Sequence, residues 1–524
     1  MLKYSSVSEI PQTEPLLGRK KDMILNDAGG YVFKITDLQH LKRFLILGSS
    51  DGTYYVNAKD FTKRNVENII DLIKSNGILV IDTIVNLRDK CPKLSPSLYA
   101  LALSITYGDD KTKKYGYSKI TNICKSSYQL FEFMQYIQEL RGWSRGLRSG
   151  VAKWFDKPYS DLSYQFIKYR QREGWTHKDV LRLSHPKAKD ENTQMLFGWS
   201  VGKISDEEIK EEYLSDFIKI QKAEKEKEVI SLLIKNKFSW EMLPTQFLKS
   251  PAVWKALLPN LQLTAILRNL GKMASIGILN PFSNETNYIC SKLNDRVYIE
   301  KSKVHPYQIA LSLVMYNEGK GFKGDLSWIS NSQVKDALEN AFKFSFGNVI
   351  PTNKNIVLGV DISGSMEGSN IFQSVMDASQ ASAILSLIHL NTESNIQFIE
   401  FNTKYYSSKI NRNDSVYSAF SKIKSGGGTD LSQPVRYALD NKISNVDAFI
   451  IYTDNETWAG NRHPVTAFND YRKKYNGNCK LINVAMTATK GSIIDTEEVD
   501  SMLEVVGFNT DTPNIINQFI IGEI

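Results

Sequence analysis

The pattern of hydrophobic and polar positions divides the chain into two parts. From about residue 62 to residue 342, apolar residues recur every three or four positions, which is the spacing of one face of an amphipathic helix. We expect Gly77 to end the first of these helices and Ser97 to cap the next one. Stretches with this spacing are NVENIIDLIKSNG, SPSLYALALSITYG, YQLFEFMQYIQELRG, EKEVISLLIKNK, SPAVWKALLPN and LQLTAILRNLGKMASIG. Such helices, joined by short turns, predict an α-solenoid of packed helix pairs.

Near Pro351 the pattern changes to short apolar runs separated by helical stretches such as ASAILSLIHL. The runs are NIVLGVDIS, SNIQFIEFN, VDAFIIYTD and CKLINVAMT. Strands that are apolar on both faces and alternate with helices predict a parallel, doubly wound α/β sheet. A chain of 524 residues is long enough for two domains. We therefore predict an all-α domain over residues 1–350 and an α/β domain over residues 351–524.

Three loops of the α/β part carry oxygen-bearing side chains directly after predicted strands. The first loop holds Asp361, Ser363 and Ser365 in DISGS, the second holds Thr429 in SGGGTDLSQPV, and the third holds Asp454 in FIIYTDNETW. Ligands of parallel sheets bind at the carboxyl ends of the strands. Two carboxylates and three hydroxyls suit a hard divalent cation, most plausibly Mg²⁺. DISGS alone is explained about as well by a helix cap, but the three loops together favour a metal site.

Nothing in the sequence indicates a catalytic centre beside this predicted metal. A second cluster of carboxylates and an evident general base are absent, and so are the Walker A, H-E-x-x-H and G-x-G-x-x-G patterns. His463 is the only histidine close after Asp454, and we expect it to be structural. The sequence therefore predicts a protein that is not an enzyme, with a metal-dependent nuclease as a weaker alternative.

Charge is distributed unevenly between the two parts. From Pro351 onward there are 14 Lys and Arg against 19 Asp and Glu, and the first 350 residues hold 51 against 38. This asymmetry suggests that the N-terminal part faces a polyanion, although a solvated basic surface without a partner is the alternative. The four cysteines lie far apart, with no signal peptide and no apolar run of membrane-spanning length. We therefore expect a cytoplasmic protein that does not contact membranes.

The most basic stretch runs from Phe166 to Lys189. We expect Lys168 and Arg172 to share one helix face, Thr176 to cap a second helix, and His185 to lie at the end of that helix. A corner with clustered cations and rings suits phosphates and unstacked bases, although a solvated helix surface is an open alternative. We expect EEIKEEYLSDFIKIQKAEKEKE, residues 207–228, to be a solvated helix without a function. We also expect three aromatic residues to be core: Trp143, Trp154 and Trp175.

Several motifs resemble those of one known family. RFLILGSSDGTYY, GWSRGLRSGVAKWF, KYRQREGWTHKDVLRLSH and LTAILRNLGKM are similar to signature stretches of the TROVE domain. The three oxygen-bearing loops resemble the metal-ion-dependent adhesion site of von Willebrand factor A domains, and TDNETWAG is similar to the A domain that accompanies TROVE. Together these motifs span most of the chain and identify it as similar to the Ro autoantigen family.

The resemblance implies a ring of HEAT-like helical repeats that is closed by the A domain. It further implies that the outer basic surface binds a small structured non-coding RNA, called Y RNA, and that the cavity takes single-stranded 3′ ends of misfolded RNA. By matching position, Lys168, Arg172 and His185 belong to the RNA-contact surface. Arg268 could instead be a buried structural arginine. Other candidates in the shared motifs are Arg145, Arg148, Lys153, Thr264, Arg268 and Asn269.

We therefore expect a monomeric RNA-binding scaffold that acts in RNA quality control, beside a 3′-to-5′ exoribonuclease that is tethered through a Y-like RNA. The alternative is a metal-dependent protein-adhesion scaffold in which RNA binding is incidental. The charge asymmetry and the basic corner favour the first interpretation.

Overall fold

The computed structural model describes residues 9–34, 36–47, 58–89, 91, 94–172, 174–321, 325–369, 375–487, 491–495, 500–506 and 512–522. The motif RFLILGSSDGTYY lies mostly outside these residues. The chain forms two compact units, one of Met1–Asn65 with Ile289–Ile524 and the other of Val66–Tyr288. The predicted division after residue 350 stays a prediction. In the described residues, none of the helices combines the length and apolarity that crossing a membrane requires.

The helices and strands follow one another in chain order. Up to the end of the helical region they are β1 (Met23–Leu25), β2 (Tyr31–Lys34), α1 (Asp37–Leu47), α2 (Ala58–Leu87), α3 (Ser95–Tyr107), α4 (Asp110–Ile123), α5 (Ser127–Leu140), α6 (Arg145–Ala152), α7 (Tyr159–Lys168), β3 (Gln171–Arg172), β4 (Trp175–Thr176), α8 (His177–Ser184), α9 (Glu191–Ser200), α10 (Glu212–Lys222), α11 (Glu226–Asn236), α12 (Pro251–Leu257), α13 (Leu263–Ser275), α14 (Asn284–Leu293), α15 (Arg296–Ser302), α16 (Pro306–Asn317) and α17 (Ser332–Phe344). The remainder are β5 (Ile356–Asp361), α18 (Ala378–Thr392), β6 (Ile396–Phe401), β7 (Tyr405–Ser407), α19 (Val416–Lys422), α20 (Gln433–Asp440), β8 (Ala448–Thr453), α21 (Pro464–Lys474), β9 (Lys480–Ala485), β10 (Gly491–Ser492), β11 (Met502–Val506) and α22 (Thr512–Ile521).

The unit Val66–Tyr288 is built from helices that pack against their near neighbours in sequence. Helix α3 packs on α4 and α5, α4 packs on α6, and α11 packs on α10 and α12. The first predicted helix end is confirmed to within one residue, because the helical conformation breaks at Asn76 (φ −154°, ψ 71°), next to Gly77, and α2 joins two helices across this kink. The predicted cap at Ser97 is wrong: α3 begins at Ser95, and Ser97 is buried inside it.

The unit formed by both ends of the chain contains a six-stranded sheet in the order β11-β9-β8-β5-β6-β7. Every pairing is parallel except that of β7, which runs antiparallel to β6. The central strands β5 and β8 are buried at every position, as expected for strands covered on both faces. Helix α18 packs on β5 and β6, and α20 packs on β5, β6 and β8.

The close approach of α20 depends on a glycine in the central strand. A Cβ at Gly359 would lie 2.4 Å from Cγ of Pro434 in the first turn of α20, which is too close for any side chain. Beneath this contact, Val357, Phe449 and Ile451 share an apolar core with residues of α20 and α21. The predicted class, a helical region followed by a largely parallel α/β domain, is confirmed.

The N-terminal arm, which we define as residues 9–34, belongs to this unit and was not anticipated. Strands β1 and β2 pair in antiparallel fashion, and β2 also pairs with β10 through Phe33 and Ser492. Apolar side chains of the arm, among them Leu16 and Val32, join the core beneath the large sheet.

Candidate metal centre and nucleic-acid interface

The three oxygen-bearing loops are tied together by their backbones at the carboxyl edge of the sheet. The N–H of Gly364 donates to the carbonyl of Gly427 (3.1 Å), and the N–H of Gly426 donates to Ile362 (2.7 Å). The N–H groups of Trp458 and Ala459 both donate to the carbonyl of Thr429 (3.1 and 2.9 Å). The first loop is thus joined to the second, and the second to the third.

Four of the predicted ligand side chains, those of Asp361, Ser363, Ser365 and Asp454, lie close together where these loops meet; Thr429 is linked to the third loop through its backbone carbonyl. Asp361 accepts a hydrogen bond from the Thr453 hydroxyl (2.7 Å) and another from the N–H of Ser363 (2.8 Å). The hydroxyls of Ser363 and Ser365 lie 3.3 Å apart, and Ser365 lies close enough to Asp454 to offset part of the rise that burial causes in the pKa of that carboxyl. DISGS does not cap the following helix, since α18 is capped by Asp377.

All five side chains are removed from water. The exposed fraction is 0% for Asp361, 1% for Ser363, Thr429 and Asp454, and 6% for Ser365. Burial, and secondly the charge of Asp454, raise the pKa of Asp361, and burial also raises the pKa of Asp454. Removal of the carboxylate from water is thus a larger effect at Asp361 than repulsion by the neighbouring charge.

One oxygen of this cluster lacks a hydrogen-bond donor. Oδ2 of Asp454 is buried and has no hydrogen-bond partner among the described residues, which is costly for a carboxylate. Two buried carboxylates beside three hydroxyls form the hard oxygen environment that Mg²⁺ prefers. The donor set therefore fits a divalent cation, and the metal itself stays a prediction.

The N-terminal arm supports the second and third loops through buried polar contacts. Nε2 of Gln12 donates to Asp430 (2.7 Å), the residue after Thr429, and Nδ2 of Asn26 donates to the carbonyl of Thr457 (2.7 Å). A Cβ at Gly30 would lie 1.9 Å from that same Thr457 oxygen. These contacts were missed because no local pattern links residues more than 400 positions apart.

His463 also contacts the arm. Its Nε2 lies 2.8 Å from the carbonyl oxygen of Glu14, and the side chain is 3% exposed. Burial lowers the pKa of His463, so the ring is neutral and holds the arm against α21. The expected structural role fits this geometry.

In the helical unit, Lys168 and Arg172 do not share a helix face as predicted. Helix α7 ends at Lys168 because Tyr169 (φ −115°, ψ 72°) leaves the helical conformation. Arg172 lies in the hairpin of β3 and β4, where it pairs with Trp175 across a turn that needs the positive φ of Gly174 (80°). The hairpin replaces the predicted last turn of the helix.

The two cations also differ in their surroundings. Lys168 is half-buried, with Nζ 2.9 Å from the Tyr164 hydroxyl and 3.9 Å from Glu241. Burial lowers its pKa, but these partners outweigh burial and raise the pKa overall. Arg172 is exposed, and its guanidinium lies 4.4 Å from the centre of the Tyr128 ring. Arg172 is therefore the more exposed of the two cations.

The second helix of the basic corner begins as predicted. Thr176 accepts from the N–H of Asp179 (3.4 Å), and Asp179 accepts from the N–H of Thr176 (2.9 Å), which completes a capping box. His185 follows the last residue of α8 in the left-handed conformation (φ 48°) and is exposed. It lines an open cleft with Arg182 and Lys203.

The other candidate residues are on two further helices. Arg145 and Arg148 are exposed on one face of α6, and exposed Lys153 follows its end. Thr264 and Arg268 are exposed on α13, so the alternative of a buried Arg268 is wrong. Asn269 is 6% exposed and donates to the carbonyl of Ala265 (2.9 Å). Roles in RNA binding stay predictions for all six residues.

The expected core tryptophans divide into two kinds. Trp154 is fully buried and donates to the carbonyl of Cys124 (2.5 Å), which confirms its assignment to the core. Trp143 and Trp175 are half-buried, with ring centres 6.3 Å apart. The charged segment 207–228 is solvated on one face only, because Phe217 and neighbouring apolar residues of α10 are buried.

Fold and site together define a class: a helical-repeat protein joined to a von Willebrand factor A-type domain with an oxygen-rich cluster at its sheet edge. The TROVE domain family model matches residues 24–238 and 230–313, and the Ro60 vWA domain model matches residues 355–520. The chain therefore belongs to the Ro60 family.

Relatives match along nearly the full length. The chain is 32% identical to "RNA-binding protein RO60" of Deinococcus radiodurans, covering 98% of both chains, and 30% identical to the protein of that name from Caenorhabditis elegans, covering 96% of this chain and 91% of the relative. The crystal structure of the Deinococcus radiodurans RO (RSR) protein superposes with a TM-score of 0.73 at 30% identity, over 93% of this chain and 100% of the other.

Proposed function

We propose that this chain binds RNA: a small, structured Y-like RNA on the basic surface of its helical unit, and single-stranded 3′ ends of misfolded RNA in a cavity. The observation that carries the proposal is the full-length similarity to two proteins that are both named RNA-binding protein RO60. The excess of 51 basic over 38 acidic residues in the first 350 positions supports it, because phosphate neutralisation supplies most of the affinity for RNA backbones.

The exposed cations of the helical unit support a backbone-directed interaction. Arg145, Arg148 and Arg172 are exposed, and arginine binds phosphate through a planar fork of donors. His185 beside Arg182 adds a ring that can stack on an unpaired base. These residues would hold RNA by charge and shape, with little reading of sequence.

We further propose that the protein is a cytoplasmic monomer that acts in RNA quality control, next to a 3′-to-5′ exoribonuclease recruited through the Y-like RNA. The family resemblance supports this role. The alternative, a protein-adhesion scaffold, needs a metal that a partner carboxylate can reach. The burial of all five predicted ligands (at most 6% exposed) favours an ion that stabilises the loops.

For the metal, we propose that Asp361, Asp454 and the three hydroxyls hold one Mg²⁺ ion. The ion would supply positive charge to two buried carboxylates, and Asp454 offers it an oxygen that no donor among the described residues uses. Water would relay some of the contacts, because Mg²⁺ dehydrates reluctantly.

We also propose that the protein is not an enzyme. No described group of three or more His, Cys, Asp or Glu side chains is arranged to hold a metal, so a two-metal hydrolytic centre has no support in the described part of the chain. Incubation of RNA with the protein and Mg²⁺ or Mn²⁺ tests this. Cleavage that disappears in an Asp361→Asn variant would promote the nuclease alternative.

Sequencing of copurified RNA is the decisive experiment for RNA binding. We expect one small structured RNA at near-equimolar ratio, and recovery of protein partners without RNA would favour the adhesion alternative. The proposed RNA-binding surface around Lys168 and Arg172 is tested with the double variant Lys168→Gln/Arg172→Gln. Glutamine is chosen because a glutamate at position 168 would face Glu241 and add a repulsion of its own.

The double variant should lower the salt dependence of RNA affinity by about one unit of log–log slope for each lost phosphate contact. The matched control is Lys473→Gln/Lys474→Gln, which removes two exposed charges from α21. If the Lys168→Gln/Arg172→Gln variant bound RNA with the same affinity and the same salt dependence as the control variant, the assignment of this surface would be refuted.

A further inference from the structure

A cavity of about 450 Å³ opens among α7, α8, α9 and α10 in the helical unit. This volume lies in the range of small-ligand sites in proteins. None of the residues predicted to bind RNA lines it. Its walls include Phe217, Trp199 and Arg170, and its remaining lining comes mostly from the ends of the surrounding helices.

The inner part of the cavity is aromatic and rigid. Phe166 and His177 stack at a ring-centre distance of 3.9 Å, and both are 4% exposed. Burial lowers the pKa of His177 to about 3, so its ring is neutral. Phe217 is 2% exposed and Trp199 is half-buried. Flat apolar rings with little freedom to move are suited to stacking on a nucleobase.

The mouth of the cavity carries an arginine that is held in place. Nη1 of Arg170 donates to Oε1 of Gln221 (2.5 Å), and Nε2 of Gln221 in turn donates to the carbonyl of Met242 (2.8 Å). The guanidinium lies 5.9 Å from the centre of the Phe217 ring. A positive group is thus fixed at the edge of an aromatic wall.

The charge of the lining is positive. Among the described residues, three cations, Arg170, Lys178 and Lys222, and one carboxylate, Asp206, line the cavity. Asp206 is already engaged, since it accepts from Trp199 Nε1 (2.8 Å) and pairs with Lys222 (2.6 Å). Arg170 and Lys178 are exposed, so their charge is available to a phosphate.

We propose that this cavity takes one unpaired nucleotide of the bound RNA, with its base against the half-buried ring of Trp199 and its phosphate beside Arg170 and Lys178. The inference rests on the proposed RNA-binding function and adds a site to it. Arg170 lies between Lys168 and Arg172 in the chain, so an RNA strand held by that corner passes the mouth of the cavity. That continuity favours RNA over a free nucleotide.

The test uses the full-length protein and an oligouridylate of about ten nucleotides. Arg170→Gln and Trp199→Leu should each weaken binding by roughly tenfold, the range seen when one stacking or cationic contact is removed. The controls are Arg296→Gln, which removes an exposed arginine, and Trp328→Leu, which removes a half-buried indole whose Nε1 donates to Tyr316. Neither control should change the affinity.

A second readout maps the base directly. An oligouridylate that carries 5-iodouridine should cross-link on irradiation to Trp199, because iodouracil reacts with the ring on which it stacks. Cross-linking should persist in Arg170→Gln when RNA is saturating. Because Arg170 is exposed, we expect this variant to fold like the parent protein, and its cross-linking therefore reports on the site and not on folding.

The outcomes separate the two proposals. If structured RNA binds but the oligouridylate does not, or if both variants bind it like the parent and no cross-link forms, the nucleotide site is wrong and the proposed function stands. If neither RNA binds the parent protein, the proposed function fails and takes this inference with it. UMP that binds as tightly as the oligouridylate would identify a free nucleotide as the ligand and overturn the assignment to RNA.

Discussion

The ion pair between the N-terminal arm and the α/β domain gives the most quantitative prediction. Nη1 and Nη2 of Arg19 contact the two carboxylate oxygens of Asp495 at 3.0 and 3.1 Å. Nε of Arg19 also donates to Asp22 (2.6 Å), and its guanidinium lies 5.2 Å from the Phe33 ring. The change that we consider is Arg19→Met, which keeps the length of the side chain and removes its charge.

The cost follows from burial. The Asp495 side chain is 1% exposed, and that of Arg19 is 13% exposed. Removing one partner of a buried pair leaves the other charge poorly solvated and typically costs about 3–5 kcal/mol. We expect Arg19→Met to destabilise the docked arm by about this amount. A double variant, Arg19→Met/Asp495→Leu, should recover most of the loss, because apolar replacement of a whole buried pair is often neutral.

Hydrogen exchange measured by mass spectrometry detects local opening of the arm without requiring the whole chain to unfold in one step. Peptides that cover β1 and β2 should exchange at least roughly a hundredfold faster in Arg19→Met. The control is Arg296→Met, whose partner Glu300 lies 2.7 Å away but whose pair is 69% and 38% exposed. Its effect should stay below about 1 kcal/mol. Exchange in Arg19→Met within threefold of the parent would refute the reasoning.

Three further predictions concern the metal, acid stability and a helix cap. Asp361→Asn keeps the shape of a residue that is 0% exposed and should abolish Mg²⁺ or Mn²⁺ binding to metal-stripped protein in calorimetric titration; unchanged binding would mean that DISGS holds no metal. The pKa of His177 is about 3 in the fold and 6.5 for an ordinary histidine. Its neutral form therefore contributes stability that is complete above pH 6.5 and declines by about 2 kcal/mol as the pH falls to about 5; in urea titrations the decline should be smaller by about this amount in a His177→Phe variant, and the rest comes from other buried histidines such as His389, whose pKa burial lowers to about 4. Thr176→Ala removes half of a capping box and should cost about 1 kcal/mol in the same titrations, whereas a cost near zero would show that Asp179 holds the end of α8 alone.

Periodicity predicted the four strands β5, β6, β8 and β9 because each is six residues long and rich in apolar residues, whereas it missed β7 and β10, which have three and two residues. Strands β5 and β8 are buried at all positions, so their apolar runs have no competing interpretation. The end of α7 was harder. The spacing of Lys168 and Arg172 predicts that the helix continues, but a hairpin replaces its last turn, in which Arg172 pairs with Trp175. Strand pairing depends on contacts between the two strands, which the spacing of residues along one segment does not reveal.

Four of the five predicted metal ligands could be found because they lie at the carboxyl ends of β5 and β8, which meet at one sheet edge, whereas Thr429 lies between α19 and α20 and does not follow a strand as predicted. Their burial could not be predicted in the same way. Asp361 and Asp454 are at most 1% exposed, although the sequence places them only at the edge of a sheet. Part of the cover comes from the N-terminal arm, whose strands have three and four residues and carry no periodic pattern. Short strands that pair with distant residues are the elements on which local patterns are least informative.

The arm gives the oxygen cluster a physical logic. Asp430, next to Thr429, is 0% exposed and accepts hydrogen bonds from Gln12 (2.7 Å) and from the Ser432 hydroxyl (2.6 Å). Because donors from the protein satisfy Asp430, its charge does not compete for a cation. Asp454, by contrast, keeps one buried oxygen without a donor among the described residues. The protein's own donors thus satisfy the carboxylate of Asp430, whereas the carboxylate of Asp454 keeps one oxygen that a cation could use. This difference between the two carboxylates, more than the number of oxygens nearby, is what would direct a metal to the edge of the sheet.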